Sequence, residues 1–256
     1  MINTQIISSC SNPLIKEIAQ LKNAWARKTS GFVIAEGIRT VETMRSGNML
    51  LKFLFYTQEH AARILDLADA TTSAYLISEA VLHKIALSKT PSGLVGVFQQ
   101  PIYMLDDIQA PGIVLANITD PGNMGTVIRS AVAFGAKSVV VVEGADAWGH
   151  KVVQASAGTN AHISIITCAW DQLVQIVVAK NILLNALVVD GPLLGKPEQR
   201  NQLLVVGNEA HGLPVEWQQQ CQLRSTIAMP GGTESLNVAV AGSIALYVTT
   251  QNANKK

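Results

Sequence analysis

Three loops of this 256-residue chain combine polar side chains with glycines that let a ligand approach the main chain. They are 117–129 (NITDPGNMGTVIR), 205–214 (VVGNEAHGLP) and 227–239 (IAMPGGTESLNVA). Each follows a strand-like apolar stretch, and two of them open a helix-like stretch. Because α/β proteins keep ligand-binding groups in the loops at strand ends, we expect the three loops to form one composite site.

The first loop offers an amide and a guanidinium. Asn123 precedes Gly125, and Arg129 follows about one turn into an otherwise apolar helix, where an Arg needs the surface or a polar partner. Asn123 as a helix cap and Arg129 as a surface residue are the structural alternatives. The spacing of Gly122 and Gly125 does not match the dinucleotide fingerprint, and no Gly-Lys-Ser/Thr phosphate loop is present.

The second loop places Glu209 directly after Gly207 and Asn208. Its carboxylate suits a hydrogen-bond acceptor, or a cap of the following turn. His211 is an acid–base candidate, although a loop histidine is more often simply solvated. Either way, the glycine favours a ligand lying against main-chain amides.

The third loop places Ser235 and Asn237 at a helix entrance, where both residue types also serve as N-caps. The following helix brings small side chains together at Ala239, Ala241, Gly242 and Ala245. Small residues favour tight packing, either within the chain or across a dimer.

Composition indicates a folded protein with ample core, because 48% of residues are hydrophobic and 14% are charged. The net charge of +1 divides into +3 for residues 1–100 and −2 for residues 101–256. Three widely spaced cysteines form neither a CxxC pair nor a metal-ligand pattern. No secretory signal or membrane-length apolar run is visible, so we expect a cytoplasmic protein without membrane contact.

Periodicity predicts an α/β protein in two parts. Residues 1–100 form a small α/β unit, the breaker-rich segment 101–111 is a linker, and strands and helices alternate over 112–256. Continuous Val and Ile strands such as 139–142 favour a mostly parallel sheet with helices on both faces. We predict one long helix over 12–28, a helix over 126–134 and a strand over 226–229.

The three loops, taken in this order, resemble the signature motifs of the SpoU–TrmH family of RNA 2′-O-ribose methyltransferases (SPOUT superfamily) over residues 113–250. The stretches SNPLIKEIAQL and GFVIAEGIRTVE resemble the substrate-binding domain of members that modify ribosomal RNA. Within 151–165 the family's KVVRASMGA pattern reads KVVQASAGT, so Gln154 replaces the commoner Arg.

The resemblance implies a deep trefoil knot, a homodimer, and methyl transfer from S-adenosylmethionine to a ribose 2′-hydroxyl without a metal. It implies a catalytic surround of Asn123, Arg129, Glu209, Ser235 and Asn237. It implies a cofactor site at Gly207, Asn208, Ile227, Met229 and Leu236, with Asn185 and Ala186 as further members. Because a guanidinium resists deprotonation, we expect Arg129 to position the ribose–phosphate and stabilise oxyanion charge rather than act as a base.

The predicted partner is RNA and not DNA, and the first prediction for this RNA is ribosomal RNA of the large subunit. The candidate RNA-binding side chains are the basic residues Lys16, Lys22, Arg27, Lys28 and Arg39, whose alternative is a solvated helix face. The alternative substrate is transfer RNA, and the alternative role is a methylation of ribosomal RNA that confers drug resistance. The alternative function is a non-catalytic RNA-binding protein on the same scaffold. A nucleotide-dependent dehydrogenase would need a glycine-rich first turn and a following acidic residue, and that pair is missing.

Overall fold

The computed structural model describes residues 5–195 and 201–251, which divide into two compact units. Unit 1 comprises the chain up to Ile102 together with Trp148–His162, and unit 2 comprises Tyr103–Ala147 and the chain from Ile163 onward. The chain first passes from unit 1 to unit 2 between Ile102 and Tyr103, inside the predicted linker. The segment 148–162 packs within unit 1, although the sequence analysis placed it in the C-terminal domain.

The strands form two sheets. In chain order they are β1 (Gln5–Ile7), β2 (Phe32–Glu36), β3 (Leu51–Tyr56), β4 (Ser73–Ile77), β5 (Leu94–Gln99), β6 (Gly112–Ile118), β7 (Ser138–Gly144), β8 (Ser164–Cys168), β9 (Leu183–Leu187), β10 (Gln202–Val206) and β11 (Leu223–Ser225).

The α-helices alternate with these strands. They are α1 (Pro13–Gln20), α2 (Ala24–Ser30), α3 (Ile38–Ser46), α4 (Ile64–Leu67), α5 (Glu79–Ile85), α6 (Pro121–Ala133), α7 (His150–Ala155), α8 (Trp170–Ala179), α9 (Val215–Gln220) and α10 (Val238–Thr250). Short 3-10 helices occupy Gln58–Arg63, Leu105–Asp107 and Thr159–His162.

Unit 1 is built on a mixed sheet of order β1-β4-β3-β5-β2. Strands β1, β4 and β3 run parallel, and β5 is antiparallel to both of its neighbours. Ile15 and Ile18 of α1 and Val81 of α5 pack with Phe55 and Ile77 from the sheet. This cluster fixes one face of the sheet beneath the two helices.

Unit 2 is built on a fully parallel sheet of order β11-β9-β10-β6-β7-β8. Val114 of β6 packs with Leu173 and Val177 of α8 on one face. Ile113 alternates to the other face, where it would lie 3.4 Å from a Cβ placed on Gly242 of α10. The predicted parallel sheet with helices on both faces is therefore confirmed, whereas the trefoil knot stays a prediction.

Local capping explains where the predicted elements were wrong. The predicted helix over 12–28 is two helices, because Asn23 caps a new helix by accepting the N–H of Trp25 at 2.8 Å. Helix α6 begins at Pro121 rather than near Gly125, because Asp120 accepts the N–H of Asn123 at 2.7 Å.

The predicted strand over 226–229 is also wrong. Strand β11 ends at Ser225, and Thr226 instead exchanges main-chain hydrogen bonds of 2.7 Å with the loop after β9, to Pro192 and from Leu194. Residues 227–229 therefore leave the sheet. They become available to line a site at its edge.

Candidate active site

The loop after β10 closes on itself. Asn208 and Gly212 exchange two main-chain hydrogen bonds, of 3.0 and 2.9 Å. A Cβ placed on Gly207 would overlap the main chain of Gly212 and Leu213. Only glycine fits at position 207, because any side chain there would push the returning strand of the loop away.

The side chain of Asn208 ties this loop to its neighbour. Its Oδ1 accepts the N–H groups of Ala210 and His211 at 2.9 and 3.2 Å. Its Nδ2 donates to the main-chain carbonyl of Asn117, the second-last residue of β6, at 2.9 Å. Asn117 adopts a left-handed φ of 58°, which asparagine tolerates better than most residues. Asn208 thus connects the ends of the adjacent strands β6 and β10.

A second set of hydrogen bonds joins all three predicted loops. The amide of Asn123 on α6 donates to Oε1 of Glu209 at 3.0 Å, and its carbonyl oxygen accepts from the amide of Asn237 at 3.1 Å. Asn237 also caps α10 by accepting the N–H groups of Ala239 and Val240. Asn123 is therefore the central member, with one bond to each of the other loops.

The neighbouring cavity has a volume of about 410 Å³ and opens at the carboxyl edge of the parallel sheet. That volume falls in the range of sites for cofactor-sized molecules. The predicted residues that line it are Gly207, Asn208, Glu209, Ile227, Met229, Ser235 and Leu236. The second and third predicted loops therefore share this cavity, whereas no residue of the first loop, 117–129, lines it.

The sequence analysis did not predict one set of cavity-lining residues, the segment 187–190, which begins at the last residue of β9. The signal was present, because Asp190-Gly191-Pro192 is a turn sequence at the end of a buried strand. Asp190 also pairs with Arg224 on the neighbouring β11, with 2.9 Å between carboxylate and guanidinium. The pair braces this wall against the strand beside it.

Asn185 and Ala186 lie next to the cavity but do not line it. Both are buried within β9, and the amide nitrogen of Asn185 donates to Gln202 at 3.2 Å. Oδ1 of Asn185, a residue only 4% exposed, accepts no hydrogen bond from the part of the chain that the structure describes. Both residues belong to the strand that leads into the cavity-lining segment 187–190.

Arg129 lies on the outer side of α6, six residues after Asn123, and its side chain is exposed. It does not line the cavity. Among the described residues, its guanidinium has no hydrogen bond or ion pair. The structure therefore leaves this cation open to a partner molecule.

The candidate RNA-binding residues lie in unit 1 and differ in exposure. Lys16, Lys28 and Arg39 are exposed, and the ammonium of Lys22 donates to the carbonyl of Lys84 at 3.0 Å. Partial burial lowers the pKa of Lys22, and the charge of Lys84 lowers it further.

Arg27 is only 6% exposed, so its side chain has a structural position. Its guanidinium donates to the carbonyls of Leu21 and Lys22, at 2.7 and 3.0 Å, and so fixes the turn between α1 and α2. The predicted basic set therefore contains one buried member, Arg27, which holds the turn that carries Lys22.

The cavity's chemistry suits a ligand with a flat apolar ring and hydrogen-bonding edges. Leu187, Ile227 and Leu236 supply apolar walls. The main-chain N–H groups of Ile227, Met229 and Leu236 donate no hydrogen bond within the described part of the chain. The carboxylates of Asp190 and Glu209 add acceptors suited to a cationic group. A nucleoside carrying a positive charge fits these features.

Within residues 5–195 and 201–251, no set of three or more His, Cys, Asp or Glu side chains is arranged to hold a metal ion. None of the helices there has the length and apolar run that a bilayer crossing requires.

Comparison with known proteins gives full-length matches. The 23S rRNA (guanosine(2553)-2′-O)-methyltransferase RlmP of Bacillus subtilis is 28% identical over 94% of this chain and 97% of its own. The 23S rRNA (uridine(2479)-2′-O)-methyltransferase of Streptomyces viridochromogenes is 26% identical over 90% and 86%. The crystal structure of an AdoMet-bound rRNA methyltransferase from Sinorhizobium meliloti has a TM-score of 0.88 and 26% identity over 98% and 99%.

Two family models match successive parts of the chain. The MRM3-like substrate binding domain matches residues 12–96. The model described as the SpoU rRNA Methylase family matches residues 111–247, which is more than half of the chain. The protein therefore belongs to the SpoU rRNA methylase family.

Proposed function

We propose that this protein transfers a methyl group from S-adenosylmethionine to a ribose 2′-hydroxyl of ribosomal RNA, in the large subunit. The observation that carries the proposal is the joining of the three motif loops by Asn123, Glu209 and Asn237 beside a cofactor-sized cavity. Relatives whose names specify 23S rRNA 2′-O-methylation support the substrate class. Ribosomal RNA as substrate also favours the cytoplasm as the compartment.

The cavity residues hold the cofactor. S-adenosylmethionine supplies an activated methyl group on a sulfonium sulfur, so the in-line displacement needs no metal. Main-chain groups at Gly207, Ile227, Met229 and Leu236 bind the nucleoside edges, because all four residues line the cavity and the N–H groups of the last three have no partner among the described residues. Asn208 keeps the Gly207 turn in its closed form. Asn185 and Ala186 support the site from within β9.

The polar surround orients the acceptor ribose. Asn123 and Asn208 fix the carboxylate of Glu209, so this acceptor keeps one position at the cavity mouth. Ser235 lines the same cavity with an exposed hydroxyl, and Asn237 holds Asn123 in place. Preorganised groups of this kind accelerate displacement by alignment and electrostatics.

Arg129 binds the ribose–phosphate and stabilises negative charge that develops on the 2′-oxygen. Its exposure and lack of an intrachain partner suit a residue whose ligand is a polyanion. A structural Arg would be expected to resemble Arg27, which is buried on main-chain carbonyls.

The protein acts as a homodimer through α10 and the adjoining α6. Val240, Ile244 and Tyr247 form an exposed apolar strip at helical spacing on α10. The ring of Tyr247 contacts Phe134 at the end of α6, with 5.5 Å between centroids. A second copy covering this strip would lie beside the helix that carries Arg129, and would remove apolar surface from water.

Unit 1 supplies affinity for RNA. Lys16, Lys22, Lys28 and Arg39 contact phosphates, and Arg27 holds the turn that presents Lys22. The protein's net charge of only +1 implies modest non-specific affinity, so the ribosomal context contributes to recognition.

The decisive test is methyl transfer to ribosomal RNA from cells that lack this protein, followed by mapping of 2′-O-methyl positions. Wild type is expected to bind S-adenosylmethionine in calorimetry and to methylate one ribose. Glu209→Gln is expected to lose most activity, whereas Glu216→Gln, an exposed matched change on α9, is expected to keep it.

Two results would overturn the proposal. Cofactor binding without transfer to any RNA would leave a non-catalytic RNA-binding protein. Transfer to a base atom instead of a ribose oxygen would place the reaction in another class. Transfer to tRNA alone would support the proposed reaction and contradict ribosomal RNA as its substrate.

A further inference from the structure

The side chain of Trp25 stands apart from the protein's other tryptophans. It is 73% exposed, whereas Trp148 and Trp170 are about 5% exposed or less. Trp217 stacks on Trp170 with 4.6 Å between ring centroids. Among the described residues, no ring contact involves Trp25. A single exposed apolar side chain is common on protein surfaces, so only the residues around Trp25 can indicate a binding role.

Helix α2 holds Trp25 outward in a defined position. The N–H of Trp25 is bound by the Asn23 cap, and its carbonyl accepts the hydroxyl of Thr29 at 2.9 Å. Arg27, two residues on and therefore on the opposite side of the helix, anchors α2 to the turn before it. The mostly exposed indole is thus presented by a fixed backbone.

Basic side chains flank Trp25 in the sequence. Lys28 is exposed three residues after Trp25, which places it on the same face of α2. Lys22 lies two residues before the helix, next to its cap Asn23, and its ammonium donates to the carbonyl of Lys84. The carboxylate of Glu36 offsets part of this positive charge, and it accepts the N–H groups of Leu87 and Ser88 at 2.6 and 2.9 Å.

The start of α7 extends the same positive region within unit 1. Burial lowers the pKa of His150 first, and the charges of Arg27, Lys151 and Lys22 lower it further. These cations are therefore close enough to repel a proton on His150. Their combined charge suits the phosphates of a nucleic acid strand.

We propose that Trp25 is a stacking platform for one unpaired base of the RNA substrate, with Lys28 and Lys22 binding the flanking phosphates. The inference rests on the proposed function, because it assumes that the partner of unit 1 is RNA. Proteins that bind single-stranded RNA combine a positive groove with aromatic side chains on which bases stack. A duplex has no free base face to offer, so the site selects unpaired nucleotides.

The test compares binding of a short single-stranded RNA, and of the duplex of the same sequence, by the full-length protein. Trp25→Ala is expected to weaken single-strand binding about 5- to 100-fold and leave duplex binding within about 2-fold. Trp25→Phe should recover most of the loss. Ile6→Ala is the matched control, because Ile6 is a similarly exposed apolar side chain of unit 1, at 75%.

Tryptophan fluorescence gives a second readout. Single-stranded RNA should quench the exposed indole of wild type, and this quenching should vanish in Trp25→Ala. The proposal is overturned if Trp25→Ala binds the single strand like wild type, if both RNAs weaken equally, or if the variant changes only the oligomeric state. Failure of the proposed function looks different, since wild type would then bind RNA without transferring a methyl group.

Discussion

Asn123 on α6 and Glu209 after β10 lie 86 positions apart in the chain, and the amide of Asn123 donates to the carboxylate of Glu209 at 3.0 Å. The carbonyl oxygen of the same amide accepts from Asn237 at 3.1 Å. One side chain therefore uses both its donor and its acceptor to hold two other loops. An amide can do both, whereas an ionised carboxylate cannot donate and an ammonium cannot accept.

Asn123→Asp keeps the shape of this side chain and removes its donor. The new carboxylate would face that of Glu209 and repel it, so the acceptor would leave its position. We expect methyl transfer to fall by about 10-fold or more with little change in thermal stability. Thr126→Ala on the same helix is the control, and an unaffected Asn123→Asp enzyme would contradict the role.

Gly207→Ala should disrupt the loop after β10. The added Cβ would overlap the main chain of Gly212 and Leu213, so the two hydrogen bonds that close the loop must break or shift. We expect a loss of about 2 kcal/mol or more in the free energy of unfolding, together with loss of S-adenosylmethionine binding. Urea unfolding and calorimetry measure the two effects.

Gly231→Ala provides the comparison, because a Cβ there meets nothing within 4 Å. Its effect on unfolding should stay within about 0.5 kcal/mol. Equal stabilities for the two alanine variants would show that the closed loop is not needed.

Arg129→Ala should separate activity from folding. The side chain is exposed and has no intrachain partner among the described residues, so unfolding and cofactor affinity should stay near wild type. Methyl transfer should be abolished, because the charge that binds the ribose–phosphate is gone. Activity within a few-fold of wild type would remove Arg129 from the mechanism, and Lys137→Ala on the same unit controls for lost surface charge.

Much of unit 2 was predictable because its strands carry a strong signal. Runs such as Val139–Val142 are apolar on both faces, which is typical of a parallel sheet covered by helices. The meeting of the loops after β6 and β10 also follows from the sheet, since the two strands are neighbours and Asn123 bonds to Glu209 at their ends.

The misplaced elements depend on interactions that no local pattern shows. Residues 226–229 carry strand-like Ile227 and Met229, yet Thr226 bonds to the loop after β9, which is distant in sequence. Arg27 was grouped with the surface cations because its burial depends on the carbonyls of Leu21 and Lys22. A contact distant in sequence decided the first case, and carbonyls within six residues of Arg27 decided the second.

Ile244→Glu should weaken the proposed dimer. Ile244 lies in the middle of the exposed apolar strip on α10, between Val240 and Tyr247, so a carboxylate there would be buried on association. Light scattering at micromolar protein should show a dimer for wild type and a shift toward monomer for the variant. Val178→Glu, an exposed apolar position on α8, should stay dimeric, and a monomeric wild type would contradict the proposal.

Thiol labelling should distinguish Cys10 from the other two cysteines. Burial raises the pKa of both Cys168 and Cys221 to about 11, so at pH 8 almost none of either thiol is the reactive thiolate. Cys10 is exposed and should react first with iodoacetamide, giving about one label per native chain and three after denaturation. Cys10→Ser should leave the native protein nearly unlabelled, because its remaining thiols must be uncovered before they ionise. Rapid double labelling of that native variant would show that the packing around Cys168 and Cys221 opens readily.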